Sequence, residues 1–141
     1  MRAVLDTSVL VSAIRSPLGA SDLLVQAVVQ GRLRPLISVA LALEYEAVLT
    51  RPEHLIASGF DPGEAMKIVR AFCKRGEPVH IARLLRPQLV DPDDEFVLET
   101  AYHGKAEYIV TFNRKHFASA ARRFGIETLT PAEAIRTLRT L

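Results

Sequence analysis

The chain has 141 residues and a mass of 15.6 kDa, with 49% apolar and 24% charged residues, which suits a single domain over 1–141 and excludes a disordered chain. Its formal net charge is only +2, from 18 basic and 16 acidic residues, too small to mark a polyanion binder by itself. Cys73 is the only cysteine, so an intrachain disulfide and a cysteine-built zinc site are excluded; a reducing, cytoplasmic setting is expected, with no signal peptide and no membrane association.

Ala3-Val4-Leu5 reads as a buried strand that ends on the polar run Asp6-Thr7-Ser8. A helix over Ser8–Ile14 follows, and a second over Ala20–Gln30 repeats Leu23, Leu24, Ala27 and Val28 at helical spacing before Gly31 stops it. Pro35-Leu36-Ile37 is the second strand, with Ser38 placed to cap a helix running to about Thr50; Pro52 marks a break. Asp61 to Arg75 places Ala65, Ile68, Val69 and Phe72 on one helical face, and Gly76 closes it before a third strand, Pro78–Ala82. Asp91-Pro92 starts a helix to about His103, with Gly104 as terminator. Tyr108–Thr111 and Glu127–Leu129 are the last strands, and a final helix begins at Pro131. This alternation predicts an α/β fold with a mostly parallel sheet covered on both faces.

Charge is unevenly distributed. Six basic residues and one acidic residue lie between Lys67 and Arg86, six basic and two acidic between Arg114 and Arg139, and five acidic with no basic between Asp91 and Glu99. Solvated helix faces would account for either basic segment alone. Acidic residues flanked by such segments also suit a metal-dependent enzyme acting on a polyanion.

In parallel sheets, sites form beyond the C-terminal ends of the strands. Asp6 stands there, as either a helix-cap carboxylate or a metal ligand. Glu44 shares a helical stripe with Leu41, Tyr45 and Val48, whereas Glu46 lies about 200° around the helix and is expected in solvent. A carboxylate on an apolar stripe is costly unless paired or coordinated. Asp91 is accounted for by the positive end of its helix. Asp94 precedes Val97, Leu98 and Ala101 by three, four and seven residues, which puts it at the head of the buried stripe. Asp93 is a lesser candidate, acting through a metal-bound water. Beyond the Tyr108–Thr111 strand, Asn113 offers a neutral oxygen, and Arg114, Lys115 and His116 follow. His116 reads as a surface or phosphate-contacting residue, since no second histidine stands at ligand spacing. Carboxylates gathered in one crevice repel, and a divalent cation relieves the conflict; all-oxygen ligands favour Mg2+ or Mn2+.

Leu5-Asp6-Thr7-Ser8-Val9-Leu10, Ser38 followed six residues later by Glu44, Asp91-Pro92-Asp93-Asp94, and Tyr108-Ile109-Val110-Thr111-Phe112-Asn113 together resemble the PIN-domain family of metal-dependent ribonucleases, across essentially the whole chain and in order. The likeness is greatest to the toxins of prokaryotic toxin-antitoxin pairs. It implies a three-layer α/β/α fold with a five-stranded parallel sheet and an acidic pocket holding Mg2+ or Mn2+ for hydrolysis of RNA phosphodiester bonds. Asp6, Glu44 and Asp94 match the family's three principal acidic positions. Asn113 stands where many members have a further aspartate, a departure that bears on whether one metal binds or two. A homodimer and an antitoxin that blocks the pocket are also implied.

The expected chemistry has Asp6 and Asp94 holding the metal most directly, Glu44 ligating it or orienting a water, Asn113 completing the shell, and Thr7, Ser8, Arg114 and Lys115 contacting substrate. Three alternatives compete. An aspartate-based phosphatase would need a second aspartate where Ser8 stands; a dinucleotide site would need a glycine-rich turn that is missing; a PIN-like RNA-binding scaffold would have no reason to retain three acids.

Overall fold

The computed structural model describes residues 1–140, apart from the side chain of Asp93. Five strands, β1 (Arg2–Leu5), β2 (Arg34–Ile37), β3 (Glu77–Pro78), β4 (Tyr108–Val110) and β5 (Glu127–Leu129), form one parallel sheet in the order β3-β2-β1-β4-β5. Eight helices join them among the described residues: α1 (Thr7–Arg15), α2 (Ala20–Val29), α3 (Val39–Leu49), α4 (Pro52–Ser58), α5 (Pro62–Arg75), α6 (Pro92–His103), α7 (Arg114–Arg123) and α8 (Pro131–Arg139). This is the expected α/β architecture.

Ala3, Val4 and Leu5 of the central strand are wholly buried, and so are Leu36, Ile109 and Val110 beside them. Strands buried on both faces read as continuous apolar runs, and these do. From β1 the chain steps outward to β2 and β3, then returns to add β4 and β5 on the other side. The reversal between β1 and β4 opens a crevice beyond their C-terminal ends, the usual place for a ligand in an open parallel sheet. Asp6 and Thr111 are the first residues past those ends.

Several elements depart from the reading of the sequence. The break before Pro52 is present, but Pro52 also opens the seven-residue α4, a helix absent from the sequence reading, which stops at Gly59, whose φ of 76° suits glycine. The third strand is Glu77–Pro78 instead of Pro78–Ala82. Val79 N–H still donates to the Ile37 carbonyl at 2.9 Å, but Ser38 then turns β2's chain into α3 and leaves nothing further to pair with. Helix α7 went unassigned, although Phe117, Ala120 and Ala121 supply its buried face.

The chain from Val79 to Asp91 has no helix or strand and is fastened to α6. Buried Glu99 accepts from Leu85 N–H at 2.9 Å and pairs with the Arg86 guanidinium at 3.2 Å. One turn earlier, buried Glu95 accepts from the N–H groups of Gln88 and Leu89, both at 2.8 Å. His103, one turn later, is 2.8 Å from the Arg83 carbonyl. Two of the five acids in the Asp91–Glu99 run thus hold a loop. No helix among the described residues is long and apolar enough to cross a bilayer.

Candidate metal centre

Asp6 occupies the N-cap position of α1, yet its side chain makes no capping bond. It is only 6% exposed, and its Oδ2 accepts two hydrogen bonds, from Ser8 Oγ and Thr111 Oγ1, each 2.8 Å long. Its backbone N–H donates to the Val110 carbonyl at 2.9 Å, which continues the β1-β4 ladder one step past the strands. The cap alternative therefore does not describe this carboxylate. It is oriented across the crevice by hydroxyls from two elements.

Thr111 was not singled out from the sequence. Register explains its role: Leu5 pairs with Val110, so the next residues, Asp6 and Thr111, come side by side. A hydroxyl at that position is a recognisable signal only once β1 and β4 are known to be neighbours. Thr111 Oγ1 also accepts from Asn113 N–H at 2.9 Å, fixing the turn into α7.

Asp94 stands in the first turn of α6, its N–H bonded to the Asp91 carbonyl. Its Oδ2 is buried without a hydrogen-bond partner, and His116 Nδ1 lies 3.3 Å away, at ion-pair distance but without hydrogen-bond alignment. Burial, then the charges of Asp6 and Asp91, push the Asp94 carboxyl up to about 6, against the opposing pull of His116. Asp6 and Asp94 are thus within electrostatic reach of each other.

Tyr45 on α3 is wholly buried and donates its hydroxyl to the carbonyl of Leu5, tying α3 to the end of β1 beside Asp6. Burial first, and then Asp6, raise its phenol well above the ordinary range, so it stays a donor. Ser38 caps α3 through Leu41 N–H and shares a 2.7 Å hydrogen bond with Thr100, which joins α3 to α6. Glu44 is half-buried on α3 and Glu46 is exposed. Among the described residues, no three histidine, cysteine or acidic side chains meet at metal-ligand spacing. The side chain of Asp93, a candidate ligand, lies outside the described residues.

Asn113 is exposed at the N-cap position of α7 and makes no capping bond. Arg114 pairs with Glu133 at 2.9 Å, while Thr7 and Ser8 are half-buried at the start of α1. Lys115 and His116 line a hollow of about 170 Å³ together with Val90, Asp91 and Asp94. His116 is therefore at the candidate site as well as half-exposed.

The sequence pattern of the family described as PIN domain matches residues 2–115. No curated protein sequence matches the chain. Among solved structures, a chain of VapBC2 from Rickettsia felis, crystallised bound to a DNA fragment from the promoter, superposes with a TM-score of 0.61. The two are 16% identical, and the alignment covers 92% of this chain and 98% of the other. At that identity the likeness is one of fold.

Proposed function

From the premise that the chain belongs to the PIN-domain family, we propose that it is a divalent-metal-dependent endoribonuclease and the toxin of a toxin-antitoxin pair. The observation that carries the proposal is the buried Oδ2 of Asp94, which lacks a hydrogen bond and belongs to a carboxyl raised in pKa by burial and then by the charges of Asp6 and Asp91. Two carboxylates sharing a partly dry crevice are stable as anions only with a compensating cation. Hard oxygen donors of this kind fit Mg2+ or Mn2+.

Asp6 and Asp94 would hold the ion, with Glu44 and Asp93 as further proposed ligands. When bound, such an ion supplies charge that polarises a phosphoryl oxygen and acidifies water. Ser8 and Thr111 keep the Asp6 carboxylate in one orientation, so little reorganisation is needed when it binds. Asn113, held at its N–H by Thr111, would complete the shell through its neutral side-chain oxygen. Lys115 lines the same hollow as Asp94 and is placed to meet a phosphate; Arg114, Thr7 and Ser8 are further proposed substrate contacts.

The fold likeness to a VapBC2 chain over nearly all of its length supports the toxin reading and, with it, an antitoxin partner; a homodimer is proposed from the family likeness alone. The test is cleavage of RNA by pure protein with Mg2+ or Mn2+. Activity should vanish with EDTA and in Asp6→Asn and Asp94→Asn, with circular dichroism showing both variants folded. Cleavage that survives both substitutions would refute the assignment. A calorimetric Mn2+ titration unaltered by Asp6→Asn would refute the metal site independently of turnover.

A further inference from the structure

Helix α7 divides its residues sharply. Phe117, Ala120 and Ala121 are buried, whereas Arg114, Ala118 and Arg122, spaced by four, line a hollow of about 320 Å³ against the segment Gly125–Thr128. A second hollow, of about 490 Å³, adjoins it, since Gly125 and Ile126 form walls of both. Its other walls include Tyr102 and Phe124, whose rings meet edge to face at 4.9 Å, and exposed Lys105. Gly125 holds this junction open: its φ is 73°, and a side chain there would meet nothing within 4 Å.

The two hollows form one groove along the outer edge of the sheet. It starts at Arg114, next to Asn113 at the C-terminal ends of the strands. It finishes at Ala106 and Ile126, which precede β4 and β5 and so lie at the opposite edge. Ten residues of helix at about 1.5 Å each make this path about 15 Å long, room for a few nucleotides of extended strand. Its chemistry is cationic, then aromatic. Arg114 is partly neutralised by Glu133, but Arg122 makes no ion pair among the described residues, and Glu127 is the single acid in the walls.

We propose that this groove receives a single-stranded RNA flank leading away from the metal centre, with Arg122 and Lys105 on its phosphates and a base against Tyr102 and Phe124. The inference rests on the ribonuclease reading and deepens it: the substrate is single-stranded on at least one side of the cut. Alternating cation and aromatic surface suits such a strand, because phosphates and base faces are common to every sequence.

The probe is a fluorescein-labelled oligoadenylate of about twelve nucleotides, compared with a dinucleotide, which is too short to span from the metal centre to Arg122. Arg122→Glu, an exposed change, should weaken binding of the longer strand about tenfold in EDTA. It should also make the slope of log affinity against log salt shallower by about 0.7, the signature of one lost phosphate contact. With metal restored, KM for the long strand should rise while cleavage of the short one is unchanged. Phe124→Ala should weaken long-strand binding without altering the salt slope.

Equal effects on both lengths, or none on either, would overturn the groove. Unchanged oligonucleotide binding with a lower sedimentation mass in Arg122→Glu would also overturn it and make this face a contact between copies. If the wild type cleaves neither strand yet binds the long one through Arg122, the groove stands and the nuclease reading falls. If it cleaves both and Arg122→Glu does so equally well, the groove alone falls.

Discussion

The central strand carries a charge at each end, and the two ends are built on opposite principles. Where β1 enters the sheet, Arg2 meets Glu77 through Nε at 2.9 Å and Nη2 at 3.1 Å, and donates to the carbonyls of Gly104 and Lys105. Its backbone N–H is taken by Glu107. Where β1 leaves, Asp6 faces Asp94, a second acid with a buried oxygen that lacks a hydrogen bond. One end is electrically closed and the other is left open. Closed ends hold a fold together, whereas two acids with one half-exposed imidazole at ion-pair distance are worth keeping together when something absent from the chain completes the site.

The strongest way to break this comparison is to neutralise the open end. Asp6→Asn or Asp94→Asn should lower RNA cleavage at least a hundredfold, about 3 kcal/mol of transition-state stabilisation. Arg2→Ala should leave cleavage per folded molecule within about twofold. Initial rates at saturating Mn2+, normalised to the folded fraction, would check both. A large loss of turnover in Arg2→Ala would show that the two ends are not separable.

Helix α6 repeats the contrast over five residues, because Glu99 is as buried as any residue in the protein yet fully engaged. Glu99→Ala should cost about 3 kcal/mol in urea unfolding, since Leu85 N–H and Arg86 lose their acceptor. It should also speed tryptic cleavage after Arg83 in the loosened loop. A variant as stable as the wild type would mean that the Val79–Asp91 loop is not held through this side chain.

The fold was legible because its signals are local. Apolar runs at Ala3–Leu5, Leu36–Ile37 and Ile109–Val110, with glycine and proline punctuation, specify strands and helix ends without reference to the rest of the chain. Legibility failed where a partner decides. The third strand stops at Pro78 because β2 has already turned into α3 at Ser38, and no pattern within residues 78–82 reveals that. Thr111 beside Asp6 depends on the β1-β4 register, and the roles of Glu95 and Glu99 depend on the Val79–Asp91 loop that folds back onto them. Helix α7 is a different case: Phe117, Ala120 and Ala121 have helical spacing, but they stand among Arg114, Lys115, Arg122 and Arg123, whose charge dominates the segment.

Asp94 also predicts a stability effect of the opposite sign. Its folded pKa, about 6, lies above that of an unfolded aspartate, so its contribution is fully present below about pH 4 and lost as pH rises through about 6. At pH 7.5 the metal-free protein therefore bears a penalty. Asp94→Asn should remove it and raise stability by about 2 kcal/mol at that pH, with little gain at pH 4. Thermal melts in EDTA across this range would test it. A destabilised Asn variant at pH 7.5 would show that Asp94 is held by favourable contacts after all.

The smallest effect belongs to the closed end and has the opposite pH signature. Arg2, first through its hydrogen bonds and then through its charge, holds the Glu77 carboxyl below the ordinary range. A lowered folded pKa gives stability that is present above the unfolded value, near 4, and is lost as pH falls through the folded one. Both side chains are about one-third exposed, so solvent screens the pair and Arg2→Ala should cost only about 1 kcal/mol at pH 7.5. The cost should shrink in high salt and fade toward pH 3. Because the two sites stand at opposite ends of β1 with no shared partner, the effects of Arg2→Ala and Asp94→Asn should add in the double variant. A coupling well above about 0.5 kcal/mol would mean that β1 transmits charge from one edge of the sheet to the other, and the division into a closed and an open end would have to be abandoned.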